Sequence, residues 1–229
     1  MNSAILFSGG KDSTMALYSS ILNGDNVKYL FSMKSLNNES YMFHVPNIDL
    51  TVLIAKALNI PILTAITDGK KEKELFDLKK GLIKLKNKGV ESIYSGAIFS
   101  TYQKTRIDNL CEEIGLKSIA PLWHTDPKKY MENIVNLGFK VIITGISAEG
   151  LEKSWLGREI TVNAINELIH IKKNVCDINL CFEGGEAETL VLDGPIFKKR
   201  LKIIEAETIW KNDNGIYNIK KAILENKDL

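Results

Sequence analysis

Cysteine is scarce in this chain of 229 residues: there are three, with three histidines and five prolines. Cys111, Cys176 and Cys181 do not suggest a disulfide framework. The pair Cys176 and Cys181 lacks the second ligand pair of a zinc site, so reduced thiols in a cytoplasm are expected. Charge of one sign is also lacking. Thirty Lys and Arg against 28 Asp and Glu leave a net +2, short of the basic surplus of a protein that coats nucleic acid. No apolar run approaches membrane-spanning length, and no basic segment precedes the apolar residues at the N-terminus as in a signal peptide. No internal repeat or low-complexity tract is evident. What is present is an ordinary globular composition, 45% hydrophobic and 25% charged, long enough for one large domain or two small ones.

The strongest chemistry lies in the first thirteen residues. Residues 3–7 read as a short apolar strand, Ser8-Gly9-Gly10-Lys11-Asp12-Ser13 as a glycine-rich turn, and 14–22 as a helix. A strand, such a turn and a helix N-terminus make an anion site, because the first helical N–H groups are unpaired and the helix dipole favours negative charge. Gly9 and Gly10 allow the backbone to curl round a phosphate, and Ser8 and Ser13 add hydroxyl donors. The plainer alternative is a Gly-Gly turn closing a surface connection. A Walker A loop is excluded: it needs a glycine with four residues between it and Gly-Lys, and Ile5 stands there.

Apolar periodicity predicts further strands over 27–33, 61–66, 93–98 and 119–123, alternating with helices over 48–58, 71–88 and 100–114. That alternation implies an α/β domain with a parallel sheet. Beyond a boundary near 123–126 the rhythm changes. Helices are expected over 127–137 and 162–172, and strands over 141–146, 189–192, 201–204 and 217–219, the last two antiparallel. The expected domains are 1–124 and 125–229.

Several residues stand out against this frame. Met33 would end a parallel strand, where the adenine of a nucleotide rests in open sheets, or else simply fill the core. Asn47 is placed to cap the helix that follows it. Tyr102 and Arg106 are four apart and share a helix face. The planar fork of Arg106 suits phosphate, while pairing with Asp108 or Glu112 on the surface is the competing reading. Glu183, Glu186 and Glu188 crowd around Gly184-Gly185. Such a block suits a cationic substrate, Mg²⁺ or a general base in a site, or is a solvated acidic turn on the surface. Trp155 is either a core residue or a ring facing a cation.

The loop SGGKDS resembles the pyrophosphate-binding loop of the N-type ATP pyrophosphatases. Taken in order, SGGKDS, SYMFHVPN, SGAIFSTYQKTR, APLW, AEGLEKSWLGR and EGGEAETLVLDGPIF resemble the diphthine–ammonia ligase family as far as about Phe197. The resemblance implies a parallel-sheet PP-loop domain of the HUP (adenine nucleotide alpha hydrolase-like) type, followed by a smaller α+β substrate-binding domain. It implies an enzyme that uses ATP and ammonium to amidate diphthine on translation elongation factor 2, the final step of diphthamide biosynthesis. Diphthine's carboxylate would attack the α-phosphate, releasing pyrophosphate, and ammonia would displace AMP from the acyl-adenylate.

On this resemblance Ser8, Gly9, Gly10, Lys11, Asp12 and Ser13 hold pyrophosphate, with Asp12 also holding Mg²⁺. Met33, Gly96 and Tyr102 complete the nucleotide side, and Lys11 and Arg106 offset phosphate charge. His44, Asn47, Trp155, Glu186 and Glu188 would form the substrate side, which receives a trimethylammonium group. Glu183 or Glu186 would help hold or deprotonate ammonium. Phe182 is a departure, since a small residue, usually glycine, is expected before Glu-Gly-Gly. The competing functions are a tRNA-modifying ATP pyrophosphatase and a non-enzymatic ATP-binding module. Neither stable nucleic-acid binding nor a membrane is expected, and the sequence does not choose between a monomer and a homo-oligomer.

Overall fold

The computed structural model describes residues 1–36 and 46–227, with residues 71 and 72 described by their backbone alone. The described chain divides into two compact units. The first takes in Met1–Ser8 and Asp12–Trp123, and the second Gly9–Lys11 and His124–Leu229.

In the first unit, β1 (Asn2–Leu6), β2 (Asn26–Ser35), β3 (Ile62–Thr67), β4 (Ser92–Tyr94) and β5 (Lys117–Ile119) form one sheet in the order β3-β2-β1-β4-β5. Every pairing in it is parallel. The connecting helices are α1 (Lys11–Leu22), α2 (Thr51–Leu58), α3 (Lys71–Asn87) and α4 (Thr101–Ile114). The core joins Ala4, Phe31, Met33 and Ile93 of the sheet to Leu78, Leu82 and Leu85 of α3 and Ile107 and Cys111 of α4. Those leucines are the apolar stripe expected of an amphipathic helix lying on a sheet.

The order of strands fixes where a ligand can bind. The chain moves from β1 outward to β3 and then crosses to β4 on the other side of β1. The reversal leaves a crevice outside the carboxyl ends of β1 and β4, the position where open parallel sheets bind ligands.

Three elements differ from the sequence expectation, each for a local reason. The helix after the glycine turn begins at Lys11 and not at residue 14, so Lys11, Asp12 and Ser13 form its first turn. The fourth strand stops at Tyr94, with the Ser95 amide making a last bond to the Ile119 carbonyl at 2.9 Å. The fifth runs over Lys117–Ile119, ahead of the expected segment, directly after Gly115 ends α4 in the left-handed region at φ 68°. It is the edge strand, as expected.

The second unit carries an antiparallel sheet in the order β7-β6-β9-β8, built from β6 (Lys140–Ile146), β7 (Ala187–Asp193), β8 (Lys199–Lys211) and β9 (Asn214–Asn226). Helices α5 (Pro127–Asn136) and α6 (Val162–Asn174) accompany it. Met131 and Ile134 of α5, Ile165 and Leu168 of α6, Ile143 of β6 and Leu190 of β7 are buried. The last two strands form a hairpin much longer than the short strands expected, because polar and apolar residues alternate along it and hide its length from a search for apolar runs.

Candidate functional site

The phosphate-loop candidate is built by the end of β1 and the start of α1. Gly9 takes φ 81°, a value that a side chain resists. The Ser8 amide donates to Ser13 Oγ at 3.2 Å, and the two hydroxyls lie 3.2 Å apart. These bonds close the loop onto the first helical turn. Asp12, also in that turn, places a carboxylate at the positive end of the helix dipole.

Gly96 abuts this turn from the end of β4. A Cβ at Gly96 would lie 2.6 Å from the carbonyl carbon of Asp12 and 2.8 Å from the Ser13 nitrogen. Glycine is therefore required there by close backbone packing, which holds the β4 end against the loop at the switch point. Ser95, beside it, is buried with an Oγ that has no partner among the described residues, and the same holds for the buried Arg106 Nε. Buried polar groups are normally satisfied, so both atoms suit a site that receives a polar ligand.

Tyr102 and Arg106 meet as their spacing predicts. The Arg106 guanidinium carbon is 3.4 Å from the Tyr102 ring centroid, and Nη1 donates to the Tyr102 carbonyl at 3.4 Å. Asp108, one of the two surface partners in the competing reading, accepts from Lys104 at 2.5 Å. Lys104 Nζ also lies 5.5 Å from the Trp123 ring. Ser100 caps α4 as expected, accepting from the Gln103 amide.

Met33 is packed into the core of the first unit. Asn47 makes no side-chain cap: it sits at φ 63° before a short 3-10 turn (Ile48–Leu50), and α2 starts later with no side-chain cap. The left-handed backbone that asparagine tolerates places it outside capping geometry. His44 lies outside the described residues. Burial pushes the Cys111 thiol up to about 12, so it is no thiolate nucleophile.

In the second unit the acidic block forms a tight turn before β7. Glu186 folds back onto its own loop, accepting from the Asn179 amide at 2.7 Å and the Gly184 amide at 2.8 Å. Gly184 leaves room for that carboxylate, since a Cβ there would lie 2.7 Å from Glu186 Oε1. Gly185 takes φ 84°. Asn179 organises the same turn, its side-chain oxygen accepting from the Cys181 amide at 3.0 Å. Sequence reasoning missed Asn179, because a lone asparagine in a polar loop carries no periodic signal. Glu186 and Asn179 also line an open pocket of about 420 Å³ with Asp126 and Lys172.

Among the described residues no three His, Cys, Asp or Glu side chains gather in a metal-holding group. Glu188 lies in β7 opposite Gly145, beside a shift in the β6–β7 register. Trp155 is 4% exposed, and its ring already carries a cation: the Arg158 guanidinium, 4.3 Å from the centroid. Arg158 in turn donates to both oxygens of Glu167, at 2.7 and 2.5 Å.

The second unit includes the middle of the glycine loop. The Val191 amide donates to the Gly9 carbonyl at 2.9 Å, and the Lys11 amide donates to Thr189 Oγ1 at 3.2 Å. Among the described residues no helix is long and apolar enough to cross a membrane.

Two family models match the chain. Residues 1–118 match the family model of the diphthamide synthase N-terminal domain, and residues 126–224 that of the diphthamide synthase C-terminal domain. The diphthine–ammonia ligase of Schizosaccharomyces pombe is 30% identical over 241 residues, an alignment covering 97% of this chain but 39% of that protein. Those of Danio rerio and Homo sapiens are 27% and 29% identical. They align with 92% and 91% of this chain and with 89% and 85% of their own lengths. The chain thus spans less than half of the fission-yeast relative and most of the vertebrate ones.

Proposed function

The chain belongs to the diphthamide synthase family, and on that premise we propose that it is a diphthine–ammonia ligase. It would use ATP and ammonium to convert diphthine, the modified histidine of translation elongation factor 2, to diphthamide. The diphthine carboxylate attacks the α-phosphate of ATP, pyrophosphate leaves, and an acyl-adenylate forms. Neutral ammonia then attacks the acyl carbon, AMP leaves with the bridging oxygen, and the nitrogen sheds a proton.

The observation that carries this reading is the placing of Asp12 and Ser13 in the first turn of α1, against Gly96 at the switch point of the parallel sheet. The loop offers phosphate oxygens the positive end of the α1 dipole. Arg106, whose buried Nε has no partner among the described residues, offsets the charge that builds on the phosphates. Mg²⁺ is ordinarily held by one or two carboxylates together with substrate phosphates. Asp12 fits that role, and the ion would screen phosphate charge.

On the acceptor side we assign the trimethylammonium group of diphthine and the ammonium to the acidic turn. Glu186 shapes that turn through its two backbone bonds, and Glu183 and Glu188 supply the cation-favouring charge. Asp12→Ala tests the nucleotide half. It should abolish AMP formation while thermal melting and circular dichroism show a folded chain. A folded Asp12→Ala protein with undiminished AMP formation would overturn the assignment.

A further inference from the structure

Phe182 occupies a backbone position that does not suit it. Its φ is 64°, in the left-handed region where a Cβ crowds the following carbonyl. The turn does not depend on the side chain. The Phe182 amide donates to the Asn179 carbonyl at 2.9 Å, and the Phe182 carbonyl accepts from the Gly185 amide at 3.2 Å. Glycine would make the same two bonds without strain. The reason for the ring therefore lies in what the ring touches.

One such group is Lys11. Its ammonium nitrogen lies 5.6 Å from the Phe182 ring centroid, and both residues belong to the second unit. Lys11 is 3% exposed and Phe182 5%. An ammonium withdrawn from water needs electrostatic replacement for its hydration, and the negative face of an aromatic ring within about 6 Å supplies part of it. The Lys11 amide is separately fixed by Thr189 Oγ1. Backbone and side chain of this lysine are thus both held by the segment running from the acidic turn into β7.

We propose that Phe182 is a positioning residue for Lys11: its ring face orients the ammonium within the phosphate loop, so the aromatic character of residue 182, and not its bulk, sets the affinity for ATP. This rests on the reading of that loop as the ATP site. Leucine fills similar space without a ring face, and tyrosine and tryptophan keep the face.

The test is titration calorimetry of Mg·ATP on the full chain. Phe182→Leu should weaken binding by about three- to tenfold. Phe182→Tyr and Phe182→Trp should stay within about twofold of the parent. In a Lys11→Met background, Phe182→Leu should change nothing further. A purely structural role would instead make affinity follow melting temperature, whatever the ring. Proton NMR of the unsubstituted protein reads the contact without nucleotide or substitution: the Lys11 Hε resonances should lie upfield of their ordinary position through the ring current. Equal ATP affinity in Phe182→Leu and parent, an equal loss in the Lys11→Met background, or ordinary Lys11 Hε shifts would each overturn the inference alone. A parent chain that binds no ATP would overturn the reading of the loop, and this inference with it.

Discussion

The Arg106 guanidinium carbon sits over the Tyr102 ring, 3.4 Å from its centroid and one helical turn along α4. The ring restrains a fork whose Nε is buried with no partner among the described residues. A preorganised donor aimed at developing phosphate charge is worth about two to three orders of magnitude in rate. Arg106→Ala is therefore expected to lower AMP formation by about 100-fold or more. Arg106→Lys should not recover it, since an ammonium neither stacks flat nor binds as a fork. Tyr102→Leu should fall between, with a loss of about tenfold. Steady-state AMP release measured for the three variants checks this ordering.

Glu186 and Gly184 act as one device. The carboxylate accepts two backbone N–H bonds, and a Cβ at Gly184 would occupy its place. Glu186→Ala should destabilise the protein by about 1.5–3 kcal/mol, the range for hydrogen bonds to a charged group. Gly184→Ala displaces the same carboxylate and should cost a similar amount. The double variant should cost much less than the sum, because both changes remove one interaction. Urea denaturation of the four proteins measures this coupling.

Gly96→Ala should disturb the loop at its root. The added methyl would meet the backbone of Asp12 and Ser13, atoms that cannot swing away as a side-chain tip can. Overpacking of this kind costs about 1–3 kcal/mol. Here it falls on the turn that receives the phosphates, so ATP affinity should drop along with melting temperature.

Asp25 gives the first unit a defined acid response. Its carboxylate accepts the Tyr94 hydroxyl at 2.7 Å and the Met1 amine at 2.9 Å. These bonds, the tyrosine's first, hold its carboxyl below the usual range. Burial pushes the Tyr94 hydroxyl up, so it remains a donor. A depressed carboxyl pKa stabilises the fold fully above the unfolded value of about 3.9 and loses that contribution as pH falls through the folded value. Asp25→Asn should therefore melt below the parent at pH 7, and the gap should close as pH drops under about 4. A gap that persists at low pH would contradict this origin.

Much of the first unit is readable from the chain. The strand–loop–helix at residues 3–22, the leucine stripe of α3 and the Ser100 cap follow from periodicity and capping chemistry that act over a few residues. What was not readable depended on partners distant in sequence. Asn47 looks like a cap until its φ is known. Met33 is expected at a strand end in both of its readings, but β2 runs on to Ser35 and packing with α3 places Met33 in the core. The ring of Trp155 does face a cation, but the cation is Arg158. The acidic block reads as three like charges, whereas Glu186 is turned inward by amides of Asn179 and Gly184, a fold-back that no spacing rule encodes. Phe182 was visible as an odd residue, and its positive φ explains why a small residue is expected there.

The central claim is a coupled reaction, and one assay measures it directly. The protein is incubated with ATP, Mg²⁺, ammonium and elongation factor 2 bearing diphthine, and AMP and the intact mass of the factor are followed together. The account predicts one AMP for each factor converted, with the factor's mass falling by the difference between a hydroxyl and an amino group, and neither change when ammonium is omitted. A properly modified factor that keeps its mass while the folded enzyme and all substrates are present would contradict it.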